Sequence, residues 1–492
     1  MRALHQRGRT ASSRASQSSI ATLRSAPPSP WLRSSGAVAM PRSCVLFTPS
    51  PDATSYRETQ ATRRPPSHVP QCTPSPSASP GRSARSSGPP PRSTALRSGR
   101  ISSTVTRRIS GSPMAARYRV ARERAVGYRS RMPESRLAPP ALPTHDALTG
   151  ERFSMDLAAV KRAAARTAGR LHVTPLLSSI GAAEALRRSG GPLLGDGRIR
   201  LKSEHLQRTG SYKVRGMLNR VSQMVEHFGE AEVQRRGLIT FSAGNAAAAY
   251  AWAGRAFKIP VHVVMPRSAV PAKIAACESY GATVHLVDGL MGEAGLKKDA
   301  LIQELGLFDA HPFDDPYVIS GHGTLGAEIL EQLPEADVVI GGLGGGGMLC
   351  GAAVALRALK PGIRIYGVEP EGSAAVKLAV EAGSVVPVQP QSIADGLGAP
   401  YAGSWTLPLA SKLIDACVTL PDAEILGGLR FLAERCKQVV EPAGAAALAA
   451  LLFGRVPVSE GDRVVVIVSG GNVDLTRMPE FLSNALPVPG AR

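Results

Sequence analysis

The stretch Asp337 to Met348 constrains the fold more than any other. Val338-Val339-Ile340 runs through Gly341-Gly342-Leu343 into four consecutive glycines, Gly344-Gly345-Gly346-Gly347, and a helical pattern follows from Leu349. An apolar β-branched run predicts a buried strand. Residues without Cβ let successive backbone N–H groups converge on an anion, and a helix N-terminus adds partial positive charge. The unit therefore predicts strand, phosphate cradle and helix. Two other readings share these residues. Gly342, Gly344 and Gly347 form a GxGxxG, with Glu369 ending a strand about twenty residues on, as in a dinucleotide fingerprint. A glycine-rich turn can also serve only to pack a helix closely on a strand.

The same alternation recurs along the chain. Ile199–Lys202, Gly237–Phe241, Val261–Met265, Thr283–Val287, Asp337–Ile340, Arg364–Val368 and Arg463–Val468 read as strands. Leu157–Gly169, Ser211–Phe228, Asn245–Ala256 and Ala269–Tyr280 read as helices, and Thr174–Leu177 as a turn. Apolar strands alternating with helices predict an α/β fold with a parallel sheet covered on both faces, and ligands at the carboxyl ends of its strands.

This pattern begins only after residue 155. The 492-residue chain carries a formal charge of +20, but residues 1–150 hold 24 Arg, no Lys and five acidic residues, while residues 151–492 are nearly balanced. With 27 Ser and 20 Pro, the first 150 residues have too little apolar surface to offset backbone entropy. They predict a disordered leader. An organelle transit segment and an RNA-binding arm are alternatives. The absence of Lys favours an upstream extension of a GC-rich reading frame, with the functional chain beginning near Met155. Some 340 near-neutral residues suffice for two domains. A wholly disordered or fibrous protein is excluded. No run of 18 apolar residues occurs, so no membrane span is expected. Cys44, Cys72, Cys277, Cys350, Cys417 and Cys436 form no CxxC pair, which suggests neither a disulfide framework nor a zinc site.

Three further segments carry chemistry. In Thr209-Gly210-Ser211-Tyr212-Lys213-Val214-Arg215-Gly216, Ser211 is a candidate N-cap and Lys213 falls in the first helical turn. The helix dipole disfavours a cation there, which lowers the amine pKa as a nucleophile requires. Alone, such a lysine reads as a solvated surface residue. Ser242-Ala243-Gly244-Asn245 is a second strand-to-helix turn whose amides suit a carboxylate, although Ser and Asn are also ordinary caps. Ser469 ends the most apolar strand.

These segments, with Ile393-Ala394-Asp395-Gly396, Glu441-Pro442-Ala443-Gly444-Ala445 and Ser469-Gly470-Gly471-Asn472-Val473-Asp474-Leu475, resemble in this order the threonine/serine dehydratase and serine racemase group of fold-type-II pyridoxal-phosphate enzymes. The resemblance spans about Val173 to Leu475. It implies a large domain over residues 151–235 and 314–492 and a small inserted domain over residues 236–313. It implies pyridoxal 5′-phosphate as cofactor and Lys213 as the Schiff-base lysine and general base. Gly344, Gly345, Gly346, Gly347 and Met348 would hold the phosphate, Asn245 the ring oxygen and Ser469 the pyridine nitrogen. Ser242, Ala243, Gly244 and Asn245 would bind the substrate carboxylate. The implied reaction is β-elimination from a small hydroxy amino acid to a 2-oxo acid and ammonia, in a cytoplasmic homo-oligomer with no nucleic-acid or membrane partner.

Departures bound the resemblance. Ala246 stands where many dehydratases have His, and Phe313 where relatives carry Asn. Serine racemases use a serine where this chain has Ala243, which disfavours racemisation. The β-replacement relatives show Lys-Asp-Arg after the Schiff-base serine, whereas this chain has Lys213-Val214-Arg215. Some relatives bind a divalent cation beyond the strand ending at Glu369, but the expected aspartate falls on Ala375, so no tight metal site is expected. Seventeen residues after Leu475 leave no room for an isoleucine-sensing regulatory domain. An RNA-binding protein with a vestigial enzyme domain is the alternative from another class.

Overall fold

The computed structural model describes residues 140–195, 197–289 and 291–491. Most of the leader, with Cys44 and Cys72, lies outside the described residues. In chain order the strands are β1 (Leu176–Ser178), β2 (Ile199–Ser203), β3 (Leu238–Phe241), β4 (Val261–Pro266), β5 (Thr283–Val287), β6 (Phe308–Asp309), β7 (Val338–Gly342), β8 (Arg364–Pro370), β9 (Ala416–Leu420) and β10 (Val464–Val468). The helices are α1 (Leu157–Thr167), α2 (Ile180–Arg188), α3 (Lys213–Phe228), α4 (Glu230–Arg236), α5 (Asn245–Ala256), α6 (Pro271–Ser279), α7 (Met291–Leu305), α8 (Pro316–Gln332), α9 (Gly347–Leu359), α10 (Ala375–Ala382), α11 (Thr406–Leu413), α12 (Asp422–Cys436), α13 (Pro442–Leu452) and α14 (Met478–Ser483).

The strands form two sheets, ordered β1-β2-β10-β7-β8-β9 and β5-β4-β3-β6. All pairs are parallel except β1 with β2, where Leu176 lies opposite Lys202. The turn expected over Thr174–Leu177 thus gives way to an antiparallel edge strand, whose three residues are too few to display an alternating period. In β10, Val464, Val466 and Val468 enter one core with α2, α12 and α13, while Val465 and Ile467 enter another with α1, α8, α9 and α11. This is the period of 2 in a sheet covered on both faces. The four-stranded sheet is likewise covered, by α3, α5 and α6 on one face and α7 on the other.

Residues 140–154, just upstream of Met155, pack on the folded body. Asp146 is buried and accepts two hydrogen bonds from Arg220 at 3.0 Å each, and Phe153 packs edge-on against Tyr317 and Trp405. The expectation that the functional chain begins near Met155 omits these contacts, because an ion pair across 74 residues leaves no local pattern.

Candidate active site

Lys213 opens α3, and its Nζ donates to the Pro312 carbonyl at 2.9 Å. Burial lowers its pKa to about 8, against the opposing charge of Glu441. Ser211 is not the helix cap expected from the sequence. It bridges to Gly470 in an extended conformation, and its buried Oγ has no partner. Tyr212 N–H donates to the Ser469 carbonyl at 3.1 Å, so the end of β10 and the start of α3 are stitched together and Ser469 lies beside Lys213 in the fold. The Ser469 hydroxyl is buried, 3.5 Å from the Ala443 carbonyl.

Phe313, next to the carbonyl that holds Lys213, closes over the glycine turn. A Cβ on Gly345 would come 2.5 Å from the Phe313 ring, and one on Gly347 would come 2.8 Å from the Phe313 carbonyl oxygen. Gly344 and Gly346 have φ of +54° and +88°, which favour glycine. Gly346 N–H turns back onto Leu343 O at 2.8 Å. Gly347 and Met348 begin α9, so their N–H groups lack intrahelical acceptors, the arrangement that suits an anion.

The turn after β3 meets the segment after β10, where Asn245 and Asn472 are hydrogen-bonded. Ser242 Oγ accepts from Gly244 N–H at 3.2 Å, while Asn245 and Ala246 open α5 with amides that have no intrahelical acceptor. Ala243 offers no side-chain polar group. Asn245 donates to Glu441 Oε1 at 2.6 Å and accepts from Asn472 Nδ2 at 2.8 Å. Gly470 closes the group, since a Cβ there would lie 3.2 Å from Asn245 Nδ2 and collide with Glu441. The resemblance residues Lys213, Ser242 to Asn245, Gly344 to Met348 and Ser469 are thereby gathered round one site at the carboxyl ends of β3, β7 and β10.

Three charged groups of this site have no role in the sequence reading. Glu441, which precedes α13, is fully buried with its pKa pushed up to about 7 by desolvation, and its Oε2 has no hydrogen-bond partner. Lys273 reaches from α6 to Asp395 at 2.5 Å and to within 3.9 Å of Glu441. Its Nζ is 3.7 Å from where a Gly244 Cβ would stand. Asp395 and Glu441 lie in motifs quoted above. Lys273 shares with Lys213 a place in a helix first turn, the one signal that would have singled it out.

Behind Lys213, α3 is held by a buried charge cluster. Arg215 binds Glu204 through two hydrogen bonds of 2.8 Å and Glu328 at 2.9 Å, and Lys202 binds Glu328 at 2.5 Å. Two cations and two anions balance, which makes the burial tolerable. Glu369 caps α10, accepting from Val376 N–H at 3.0 Å and Lys377 N–H at 2.8 Å. It is thus engaged and not placed as the ribose-binding carboxylate of a dinucleotide site. Among the described residues no cluster of three or more His, Cys, Asp or Glu is arranged to hold a metal ion, and no helix is long and apolar enough to cross a membrane.

Residues 139–470 match the family described as pyridoxal-phosphate dependent enzyme. The chain is 36% identical over 297 residues to the L-threonine ammonia-lyase of Thermotoga maritima, covering 60% of this chain and 72% of that protein. It is 40% identical over 283 residues to the L-threo-3-hydroxyaspartate ammonia-lyase of a Pseudomonas species, covering 57% and 87%. The solved structure of maize serine racemase superposes with a TM-score of 0.60 at 32% identity, over 67% of this chain and 98% of that one. With a cradle that only glycine fits and a half-buried lysine in the same site, the chain belongs to the pyridoxal-phosphate dependent enzyme family, and its cofactor is pyridoxal 5′-phosphate.

Proposed function

We propose that this protein is an ammonia-lyase of the threonine/serine dehydratase type, removing the β-hydroxyl and amino groups of a small hydroxy amino acid to leave a 2-oxo acid and ammonia. The observation that carries the reading is Lys213, a half-buried amine whose pKa is lowered to about 8 by desolvation, with one turn suited to phosphate and another suited to carboxylate in the same site. In this reading Gly344, Gly345, Gly346, Gly347 and Met348 hold the cofactor phosphate, Asn245 meets the ring oxygen and Ser469 meets the ring nitrogen. When bound, the cofactor supplies an electron sink that weakens the bonds to the substrate Cα.

The chain's own residues do the rest. The amides opening α5 orient the substrate carboxylate, with Ser242, Ala243, Gly244 and Asn245 forming its turn. Lys213 Nζ takes the Cα proton, as a base whose pKa lies near the operating pH. Ser469 presents a neutral hydroxyl, which does not hold a full positive charge on the ring and so favours loss of a β-substituent. Ala243 has no proton to give on the opposite face, and this supports lyase over racemase. The relatives named as ammonia-lyases support the same choice, and their substrates, threonine and 3-hydroxyaspartate, are the first to try.

The test is release of 2-oxo acid and ammonia from L-threonine, L-serine and L-threo-3-hydroxyaspartate, with Lys213→Ala as control. Loss of the Lys213 base removes at least about 10²-fold of the rate, together with the cofactor's absorbance at the visible edge of the near-ultraviolet. If no 2-oxo acid forms while D-serine accumulates from L-serine, the protein is a racemase instead.

A further inference from the structure

The site holds a second polar pair that the reading above leaves without a task. His311 is half-buried beside Pro312, whose carbonyl holds Lys213, and its imidazole is kept neutral by desolvation and by the nearby ammonium groups of Lys298 and Lys213. Its Nδ1 accepts two backbone hydrogen bonds, from Phe313 N–H at 3.2 Å and Asp314 N–H at 2.8 Å. An atom that accepts twice carries no proton, so the hydrogen of the neutral ring sits on Nε2. Nε2 lies 3.3 Å from Tyr401 Oη, and the ring therefore donates to the phenol oxygen. The phenol hydrogen must then point elsewhere.

The loop bearing Tyr401 is fixed by the same segment. Asp314 accepts from Ser404 N–H at 2.7 Å, Trp405 N–H at 2.9 Å and Thr406 N–H at 3.1 Å, and Gly403 lies so close to Asp314 that a Cβ would collide with the carboxylate. Tyr401 itself packs on Phe313, the residue that covers Gly345. Neighbouring polar groups on this side of Lys213 are engaged, although Asp309 Oδ1 has no hydrogen-bond partner. The Pro312 carbonyl accepts from Lys213, and Lys298 pairs with Asp309 at 2.6 Å and Asp299 at 3.2 Å. The Tyr401 O–H is half-buried, with its hydrogen turned away from His311.

We propose that Tyr401, oriented by His311, is a specificity residue that donates a hydrogen bond to the β-hydroxyl oxygen of the substrate. The inference rests on Lys213 as the Cα base and on the substrate lying with its carboxylate at the Ser242 to Asn245 turn and its Cβ substituent on the His311–Phe313 side, where Lys213 meets the Pro312 carbonyl. A neutral donor matches a hydroxyl. It has nothing to offer a methyl group.

The experiment compares the cofactor-loaded full chain with Tyr401→Phe, using L-serine as the hydroxylated ligand and L-alanine as its counterpart without the hydroxyl. Affinity is followed by the change in cofactor absorbance on adding each amino acid, and KM for L-serine is measured alongside. Loss of one net hydrogen bond raises the L-serine constants about tenfold, while the L-alanine constant stays within about twofold and the resting absorbance and thermal midpoint are unchanged. Equal weakening of both ligands, or no weakening of L-serine, overturns the proposal. A variant that loses cofactor or folds poorly also overturns it, because Tyr401 then serves the scaffold. If the wild type binds L-serine but forms no 2-oxo acid, the lyase reading fails while the binding comparison still decides the role of Tyr401.

Discussion

The side-chain amide of Asn245 donates to the carboxylate of Glu441 at 2.6 Å, across 196 residues of sequence. Asn245 starts a helix of the four-stranded sheet and Glu441 precedes a helix of the six-stranded one, so this bond joins the two halves of the site. It also places a carboxyl that titrates near pH 7 within the field of Lys213.

Ionised Glu441 holds the Lys213 pKa up, and burial holds it down. Glu441→Gln removes the first influence and leaves the second, so the amine loses its proton at lower pH. The rate at which cofactor-free protein takes up pyridoxal 5′-phosphate should rise with pH through about 8 in the wild type. In Glu441→Gln the rise should come earlier, by about half to one pH unit. A rise displaced to higher pH would contradict the assignment of charges.

Gly347→Ala directs a methyl group at the Phe313 carbonyl oxygen, 2.8 Å from the new atom. The obstacle is backbone, which cannot swing aside as a side chain would. Cofactor affinity should fall by at least about tenfold, equivalent to roughly 1.4 kcal/mol, in an equilibrium titration. Unchanged affinity would mean that the phosphate does not use this loop.

Arg215→Met leaves Glu204 facing no guanidinium in a fully buried position, with Lys202 the only cation still paired with Glu328. Breaking one partner out of a buried ion pair costs about 3–5 kcal/mol. A thermal midpoint lower by roughly 10 °C is expected. Arg215→Met with Glu204→Leu should recover part of the loss, because the stranded charge is then gone.

Glu369 has its pKa pushed up from 4.5 to about 7 by burial. The folded state therefore keeps a proton that the unfolded state releases. Its stabilising contribution is complete below pH 4.5 and is lost as pH rises to about 7. Glu369→Gln cannot titrate. Between pH 5 and 7.5, buffer values chosen to bracket this range, the wild-type thermal midpoint should decline by a few degrees relative to the variant. Parallel curves would show that Glu369 is ionised throughout.

Much of the architecture was legible in the residues. The runs Val261–Met265, Thr283–Val287 and Arg463–Val468 are long and β-branched enough to announce strands, and strands of that kind alternating with helices admit few arrangements. The edge strand Leu176–Ser178 and the two-residue β6 were not legible, since neither has enough residues for a period. Ser211 was misleading because a cap and an extended bridge use the same residue type, and only the partner Gly470 distinguishes them.

For the site, the sequence by itself determined the chemistry on offer: four residues without Cβ after a strand, a lysine opening a helix, a hydroxyl ending the most apolar strand. Those are properties of single turns, set by local backbone geometry. Tertiary structure alone decided what surrounds them. Glu441 titrates near 7 because the fold removes its water, His311 is neutral with its proton on Nε2 because two backbone amides meet its other nitrogen, and Lys273 finds Asp395 across 122 residues. Burial and long-range partners arise from the meeting of distant segments, and no short pattern in the chain encodes them.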